Sequence, residues 1–170
     1  MEVNVATFEE RALIEGLMQP YAREFSRWCE VQFNADGTFT YPLLGTYWSE
    51  PNRFPFLFRV NGEVAGFALV RKTDCGFADG EVCDVAEFFV AEAFRRQGAG
   101  SAAACAVWGR LPGRWQVRVL EANETAMRFW DSAVREFTGI TVPAVSVHTD
   151  GKAWRAYVFN AGPDGQAGTG

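Results

Sequence analysis

The feature that most constrains the fold is a pair of alternating apolar runs joined by Asn61-Gly62. FPFLFRV precedes this dipeptide and EVAGFALVRK follows it. Asn-Gly is the preferred centre of a type I′ turn, whose twist matches that of two antiparallel strands. A third apolar run, VCDVAEFFVA, comes after the polar segment TDCGFADGE. Three consecutive strands without an intervening helix predict an antiparallel sheet and argue against a doubly wound fold, in which strands alternate with helices.

The rest of the chain supplies further strands and helices around this hairpin. Val3 and Val5 alternate with polar residues and predict a first strand, and Thr7 with Glu10 forms a capping-box pattern at the start of a helix. We expect Pro20 to divide that helix into two pieces. After the third strand, the sequence predicts a helix in GSAAACAVWGRL, a strand in RWQVRVLE, a helix in ETAMRFWDSAVREF and a final hairpin from ITVPAVSV and AWRAYVFN. This order predicts an α+β fold with a mixed, mostly antiparallel twisted sheet flanked by helices.

Length and composition limit the function classes. The chain has 170 residues, which predicts a single domain over residues 1–160, followed by a flexible Gly-rich tail over 161–170. A net charge of −5 argues against a nucleic-acid-binding surface. One histidine and four cysteines without a C-x-x-C pair predict no metal site. The sequence shows neither a secretory signal nor an apolar run as long as a membrane span, so we expect a cytoplasmic protein without a membrane partner.

The segment RRQGAGSAAA contains glycines that could approach a phosphate. Gly98 and Gly100 fit the dinucleotide pattern G-x-G-x-x-G/A, and Glu121 lies about 20 positions further on. However, AEAFRRQ separates Gly98 from the preceding strand, whereas a dinucleotide-binding loop leaves its strand directly. The P-loop pattern fails because no Gly-Lys-Ser/Thr follows. We therefore favour main-chain N–H groups at a helix N-terminus that bind a pyrophosphate, assisted by Arg95 and Arg96.

Two motifs resemble a known family. AEFFVAEAFRRQGAGSAAA resembles the acetyl-coenzyme A motif of the GNAT N-acetyltransferase superfamily, and Arg95, Gly98 and Gly100 fill its pattern Gln/Arg-x-x-Gly-x-Gly/Ala. NETAMRFW is similar to the second motif of the family, in which Asn123 and Ala126 match. The resemblance implies a GNAT-like sheet that is splayed at the acyl-CoA site. It also implies acetyl-CoA as cosubstrate and acetyl transfer to a small-molecule primary amine.

The resemblance further implies which residues contact acetyl-CoA. They are Phe88, Phe89 and Val90 on the strand, Arg95, Arg96, Gln97, Gly98, Ala99, Gly100 and Ser101 in the loop and helix start, and Asn123, Phe129 and Trp130 in the second motif. In the family, a main-chain N–H group of this strand stabilises the negative charge that develops on the thioester oxygen. Asn123 is equally well explained as the N-cap of a helix.

Acetyl transfer also needs a base that accepts the proton of the amine, and Asp84 and Glu87 are the two candidates. Side chains three positions apart face opposite sides of a regular strand, so only one of them can enter the site unless a bulge intervenes. Asp84 is favoured because it lies fourteen residues before Gly98, where some family members carry their catalytic carboxylate. Trp130 stands where many members have a tyrosine that protonates the departing thiolate, and an indole is no useful acid. Water or a tyrosine remains as the acid, the candidates being Tyr21, Tyr41, Tyr47 and Tyr157.

Two other functions remain open at this point. The substitution at Trp130 allows a catalytically silent domain that binds acetyl-CoA as a sensor or partner module, and the chain could also bind a small molecule unrelated to coenzyme A. Family members use aminoglycosides, polyamines, amino acids and protein N-termini as acceptors, and many form homodimers. The sequence selects neither an acceptor nor an oligomeric state.

Overall fold

The computed structural model describes residues 1–75, 80–149 and 151–162. The strands are β1 Glu2–Val5, β2 Arg53–Val60, β3 Glu63–Asp74, β4 Glu81–Val90, β5 Gly113–Leu120, β6 Val145–Thr149 and β7 Lys152–Ala161. They form one seven-stranded sheet in the order β1-β2-β3-β4-β5-β7-β6. Within the described residues β4 and β5 are parallel, and every other neighbouring pair is antiparallel. The predicted mixed, mostly antiparallel α+β fold is confirmed.

Helices cover both faces of this sheet. They are α1 Arg11–Phe25, α2 Ala99–Arg110 and α3 Glu124–Thr138. The α1 face holds one apolar core and the α2–α3 face holds a second, larger one. Within the described residues, each helix is either too short or too polar to cross a membrane. The predicted tail falls largely on residues 163–170, which lie outside the described residues.

The β2–β3 hairpin forms as its sequence predicts. Asn61 has φ 52° and Gly62 has φ 82°. A type I′ turn requires positive φ at both central residues, which asparagine tolerates and glycine adopts without a steric cost. The turn thereby fixes the register of the two strands that precede the site.

The prediction that Pro20 divides the first helix is wrong. α1 is continuous through Pro20. Proline removes one helical hydrogen bond, but Ile14 and Met18 before it and Ala22 after it are all buried against the same side of the sheet. Packing of this continuous apolar face holds the helix together across the proline.

β4 changes its neighbours halfway along its length. Opposite β3, Glu87 pairs with Leu69 and Val85 pairs with Val70, so Ala86 is an extra residue that forms a bulge. On the other edge, β4 pairs with β5 only from Cys83 to Val85, although β4 continues to Val90. The two parallel strands separate after the bulge, and this is the predicted splay of the sheet.

Candidate active site

The bulge brings the two candidate carboxylates to the same face of the sheet. Val85 and Phe88 both pack against the core beneath α2 and α3, although they are three residues apart. The extra residue shifts the alternation of side chains by one position. Asp84 and Glu87 therefore both face the α1 side. The bulge is the condition under which both carboxylates can approach one site.

Asp84 is a fully paired carboxylate in the interior. It is 0% exposed, and its Oδ2 accepts hydrogen bonds from Arg71 Nε and Arg118 Nη2, both at 3.0 Å. Its Oδ1 accepts from Gln116 Nε2 at 2.9 Å and from Arg118 Nε at 3.2 Å. Buried charges are tolerated when they are paired and hydrogen-bonded in this way. Asp84 thus joins β3, β4 and β5, and its oxygens are already used.

Within the described residues, Glu87 has no such cationic clamp. Tyr21 donates a short hydrogen bond to its carboxylate, and the hydroxyl group of Tyr41, which lines the same pocket, also lowers its pKa. Burial raises the pKa of Glu87 above its ordinary value of 4.5, which the two tyrosine hydroxyl groups and the positive charge of Arg71 only partly offset. The negative charge of Asp84 adds to the rise. A carboxylate with a raised pKa that accepts a hydrogen bond from a hydroxyl group is suited to accept a proton.

Glu87 also borders a pocket between α1 and the long loop before β2. The pocket has a volume of 280 Å³. Its lining residues are Tyr21, Ala22, Phe25, Cys29, Glu30, Val31, Gln32, Phe39, Thr40, Tyr41, Pro42 and Glu87. Tyr21 stacks on Phe25 with ring centroids 5.7 Å apart and meets Phe89 edge-on. This packing holds the Tyr21 hydroxyl at the carboxylate.

Main-chain groups of β4 are directed to the strand edge that faces away from β3. The N–H of Ala91 donates to the carbonyl of Ala65 on β3 at 2.8 Å. Because the N–H and C=O groups of successive strand residues alternate between the two edges, those of Phe88 and Val90 point away from β3, to the edge that β5 has left. The Val90 carbonyl accepts a hydrogen bond from Arg95 Nε at 2.6 Å. The splayed edge therefore offers main-chain donors beside Glu87.

The glycine loop ends at the N-terminus of α2. Arg96 has φ 62° and Gly98 has φ 78°, and these two left-handed residues bend the chain into the helix. In the described part of the chain no side chain caps this helix. The first helical bond runs from Ala102 N–H to the Gly98 carbonyl at 3.0 Å, so the N–H groups of residues 99–101 lack helical acceptors. Such a terminus attracts an anion.

Arg95 is engaged by the protein itself. Its two Nη atoms donate to the Glu24 carboxylate at 3.1 Å and 2.7 Å, and its guanidinium lies 5.2 Å from the centre of the Phe89 ring. Arg95 therefore ties α1 to the glycine loop, a contact that the sequence did not indicate. Arg96 and Gln97 are exposed at the same loop, and Ser101 is half-buried.

The second motif packs against the first. Asn123 Oδ1 accepts a hydrogen bond from Ala126 N–H at 3.0 Å, so its N-cap role is confirmed. Trp130 is 6% exposed, with its ring 5.0 Å from Phe88 and 4.7 Å from Phe129. A Cβ atom at Gly100 would lie 2.9 Å from the Phe129 ring, so α2 and α3 are in close contact at this glycine and a larger residue would displace the ring. Trp130 is therefore part of the core next to the splayed edge.

Sequence reasoning missed several side chains that build the site. The sequence offers Tyr21 and Tyr41 only as acids for a thiolate, whereas Tyr21 hydrogen-bonds to Glu87 and Tyr41 lines the same pocket and lowers the pKa of Glu87. Arg71 and Arg118 were not singled out, although they hold Asp84. Spacing along one chain cannot reveal these contacts, because they join four separate elements. Within the described residues, no group of three metal-ligating side chains comes together.

Comparison with known proteins places this arrangement in a family. The family model described as the acetyltransferase (GNAT) family matches residues 15–133. The chain belongs to this family. No curated protein matches the chain in sequence.

Solved structures share the fold at low sequence identity. An acetyltransferase from Thermus thermophilus superimposes with a TM-score of 0.64 at 16% identity, covering 94% of this chain and 96% of its own. NAA60 of Arabidopsis thaliana, in complex with acetyl-CoA, gives 0.60 at 12% identity over 94% and 97% of the two chains. An aminoglycoside acetyltransferase from an uncultured soil metagenomic sample gives 0.61 at 12% identity over 87% and 93%. These likenesses show the fold, which is that of acetyltransferases.

Proposed function

We propose that the protein transfers an acetyl group from acetyl-CoA to a small primary amine, with Glu87 as the general base. The observation that carries this proposal is the position of one half-buried carboxylate with a raised pKa. Glu87 opens into a pocket on one side and lies beside the unpaired edge of β4 on the other. A base for the amine and donors for the thioester would then lie on neighbouring residues of a single strand.

The coenzyme is bound, in this proposal, mainly by main-chain groups. The N–H groups of residues 99–101 and the exposed Arg96 would receive the pyrophosphate at the N-terminus of α2. The splayed edge of β4 would pair with the amides of the pantetheine arm. Among the predicted phosphate ligands, Arg95 would act indirectly, because its guanidinium already pairs with Glu24.

The reaction then needs one acceptor for the proton of the amine and one hydrogen-bond donor for the negative charge that develops on the thioester oxygen. The amine nitrogen forms a bond to the thioester carbon, and the carbon–sulfur bond breaks. Glu87 would take the proton of the amine, directly or through a water molecule, while the N–H group of Phe88 or Val90 stabilises the negative charge on the thioester oxygen. The departing thiolate would take a proton from water, since a thiol with a pKa of ~8.5 is a tolerable leaving group near neutrality.

The experiment measures release of free thiol from acetyl-CoA in the presence of a panel of primary amines, with mass spectrometry of the amine products. We expect amine-dependent thiol release that matches the acetylated product in amount. Reactions without amine serve as the control for simple hydrolysis. Thiol release that is independent of every amine would contradict an N-acetyltransferase function.

A second candidate follows from the Trp130 position. Because an indole replaces the tyrosine common at this place, the domain could bind acetyl-CoA without turnover. Calorimetric titration with acetyl-CoA distinguishes the two candidates. Heat of binding without any turnover would favour the sensor, and absence of binding at millimolar coenzyme would exclude both.

A further inference from the structure

The pocket beside Glu87 has walls that are mainly aromatic and aliphatic. Phe25 and Tyr21 from α1 and Phe39 and Tyr41 from the following loop surround it, together with Val31 and Pro42. Phe39 is fixed by Gln19, whose amide receives the Phe39 N–H at 2.8 Å and donates to its carbonyl at 2.9 Å. The apolar wall is therefore a built part of the fold that α1 holds in place.

The charged side chains that line this pocket are both acidic. Glu87 is half-buried at its inner end and Glu30 is exposed at its rim, and the described lining contains neither lysine, arginine nor histidine. The positive charge of Arg71 lowers the pKa of Glu87, but its Nε donates to Asp84 at 3.0 Å and Arg71 does not line the pocket. The positive charge of Lys152 likewise contributes to lowering the pKa of the Cys29 thiol, and Lys152 does not line the pocket either.

The charged and apolar side chains of the pocket favour some amines over others, according to the groups that the amine carries. An ammonium group is stabilised by a carboxylate and by the faces of aromatic rings, and an apolar stem is stabilised by the walls. A carboxylate on the acceptor would meet no cation in the described lining and would lie against apolar side chains and two acidic ones. The volume is at the small end of the range for ligand pockets.

We infer that the acceptor is a small primary amine with an apolar aryl or alkyl skeleton and no carboxylate. This inference rests on the proposed function, because it assigns the substrate class of the same site. It sets the protein apart from enzymes whose acceptors carry a free carboxylate.

The test uses a matched pair of amines at fixed acetyl-CoA. 2-Phenylethylamine is compared with phenylalanine, which adds a carboxylate to the same skeleton. We expect kcat/KM to be higher by at least about 100-fold for 2-phenylethylamine, since the added carboxylate lacks a cationic partner in the described lining. Equal or greater kcat/KM for phenylalanine would overturn the inference and leave the N-acetyltransferase proposal standing.

Variants test whether the aromatic wall carries the preference. Phe39→Leu keeps an apolar side chain but removes a ring, and Phe39→Ala removes most of the side chain. In both variants KM for 2-phenylethylamine should rise about 10-fold or more, with kcat changed less. Phe8→Ala is the matched control, because Phe8 is 63% exposed and lies outside the pocket. An unchanged KM in both Phe39 variants would contradict the inference.

Calorimetry separates failure of this inference from failure of the proposed function. The titrant is 2-phenylethylamine, with phenylalanine as its matched comparison. Binding of the amine but not of phenylalanine, with no acetylation of any amine, would support the substrate class while refuting the reaction. Acetylation of other amines without any binding of 2-phenylethylamine would refute the substrate class alone.

Discussion

The two halves of β4 differ in what surrounds them. From Cys83 to Val85 the strand has a neighbour on both edges, and its carboxylate at Asp84 is held by two arginines and a glutamine. From Glu87 to Val90 it pairs on one edge only, and the Glu87 carboxylate accepts a hydrogen bond from the Tyr21 hydroxyl group. One bulge residue separates the two halves.

The two halves of β4 thus carry carboxylates of two different kinds on a single strand. A carboxylate that is saturated by cations links strands, but it has no capacity left for an incoming proton. A buried carboxylate without a cationic clamp costs stability, and its raised pKa brings it closer to the range in which a general base works well. We therefore propose a structural task for Asp84 and catalysis for Glu87, the reverse of the preference that position in the sequence suggests.

The largest expected effect is the loss of turnover in Glu87→Gln. The amide has nearly the same shape but cannot accept the proton of the amine, so kcat should fall about 10²–10⁴-fold. Steady-state assays with acetyl-CoA and 2-phenylethylamine measure this effect. Asp84→Asn is the matched control, and we expect its kcat, measured on folded protein, to fall far less. Equal losses in both variants would remove the distinction between the two halves.

The second effect is a loss of stability in Asp84→Asn. The change leaves the charges of Arg71 and Arg118 without their carboxylate, and breaking a buried pair in this way typically costs 3–5 kcal/mol. Because the two arginines are 34% and 27% exposed, solvent screens part of that cost, and we expect a decrease of about 2–4 kcal/mol in the free energy of unfolding. Urea denaturation at pH 8 measures it. A decrease below about 0.5 kcal/mol would show that the pair contributes little.

Glu87→Gln should shift stability in the opposite direction at the same pH. A carboxyl group whose folded pKa is raised contributes stability below its unfolded pKa and loses that contribution as the pH rises through the folded pKa. The amide does not titrate, so the variant should be more stable than the wild-type protein at pH 8, with the difference vanishing near pH 4. Destabilisation of Glu87→Gln at pH 8 would contradict the role of burial at this site.

The smallest of these effects concerns the backbone contact behind the second half of β4. A Cβ atom at Gly66 would lie 2.2 Å from the Phe89 carbonyl oxygen and 3.0 Å from the Val90 Cα. Gly66→Ala should therefore push the strand outward, with a loss of about 1–3 kcal/mol in the free energy of unfolding and reduced turnover. Gly16→Ala is the control, since Gly16 is exposed in α1 with open space around it and should gain about 0.5–1 kcal/mol. Normal turnover in Gly66→Ala would show that the site tolerates movement of the strand.

The sequence predicted the elements of the fold better than the contacts of the site. The hairpin at Asn61-Gly62 and the N-cap at Asn123 follow from local backbone preferences, which a single sequence displays. The continuous path of α1 through Pro20 depends on packing across the sheet, which outweighs a local preference. The bulge at Ala86 leaves no mark in the sequence, although it decides which side chains face the pocket. The partners of Asp84 and Glu87 come from distant segments, so only the folded chain reveals them.

The pH dependence of kcat at saturating acetyl-CoA and amine tests whether Glu87 is the general base. Tyr21 from α1, Tyr41 from the loop, Arg71 from β3 and Asp84 from β4 all act on the pKa of Glu87, which burial raises above 4.5. A base works in its deprotonated form, so kcat should rise with pH through that raised pKa in the wild-type protein and in Asp84→Asn, and this rise should be absent in Glu87→Gln. Loss of the rise in Asp84→Asn together with its persistence in Glu87→Gln would contradict the account.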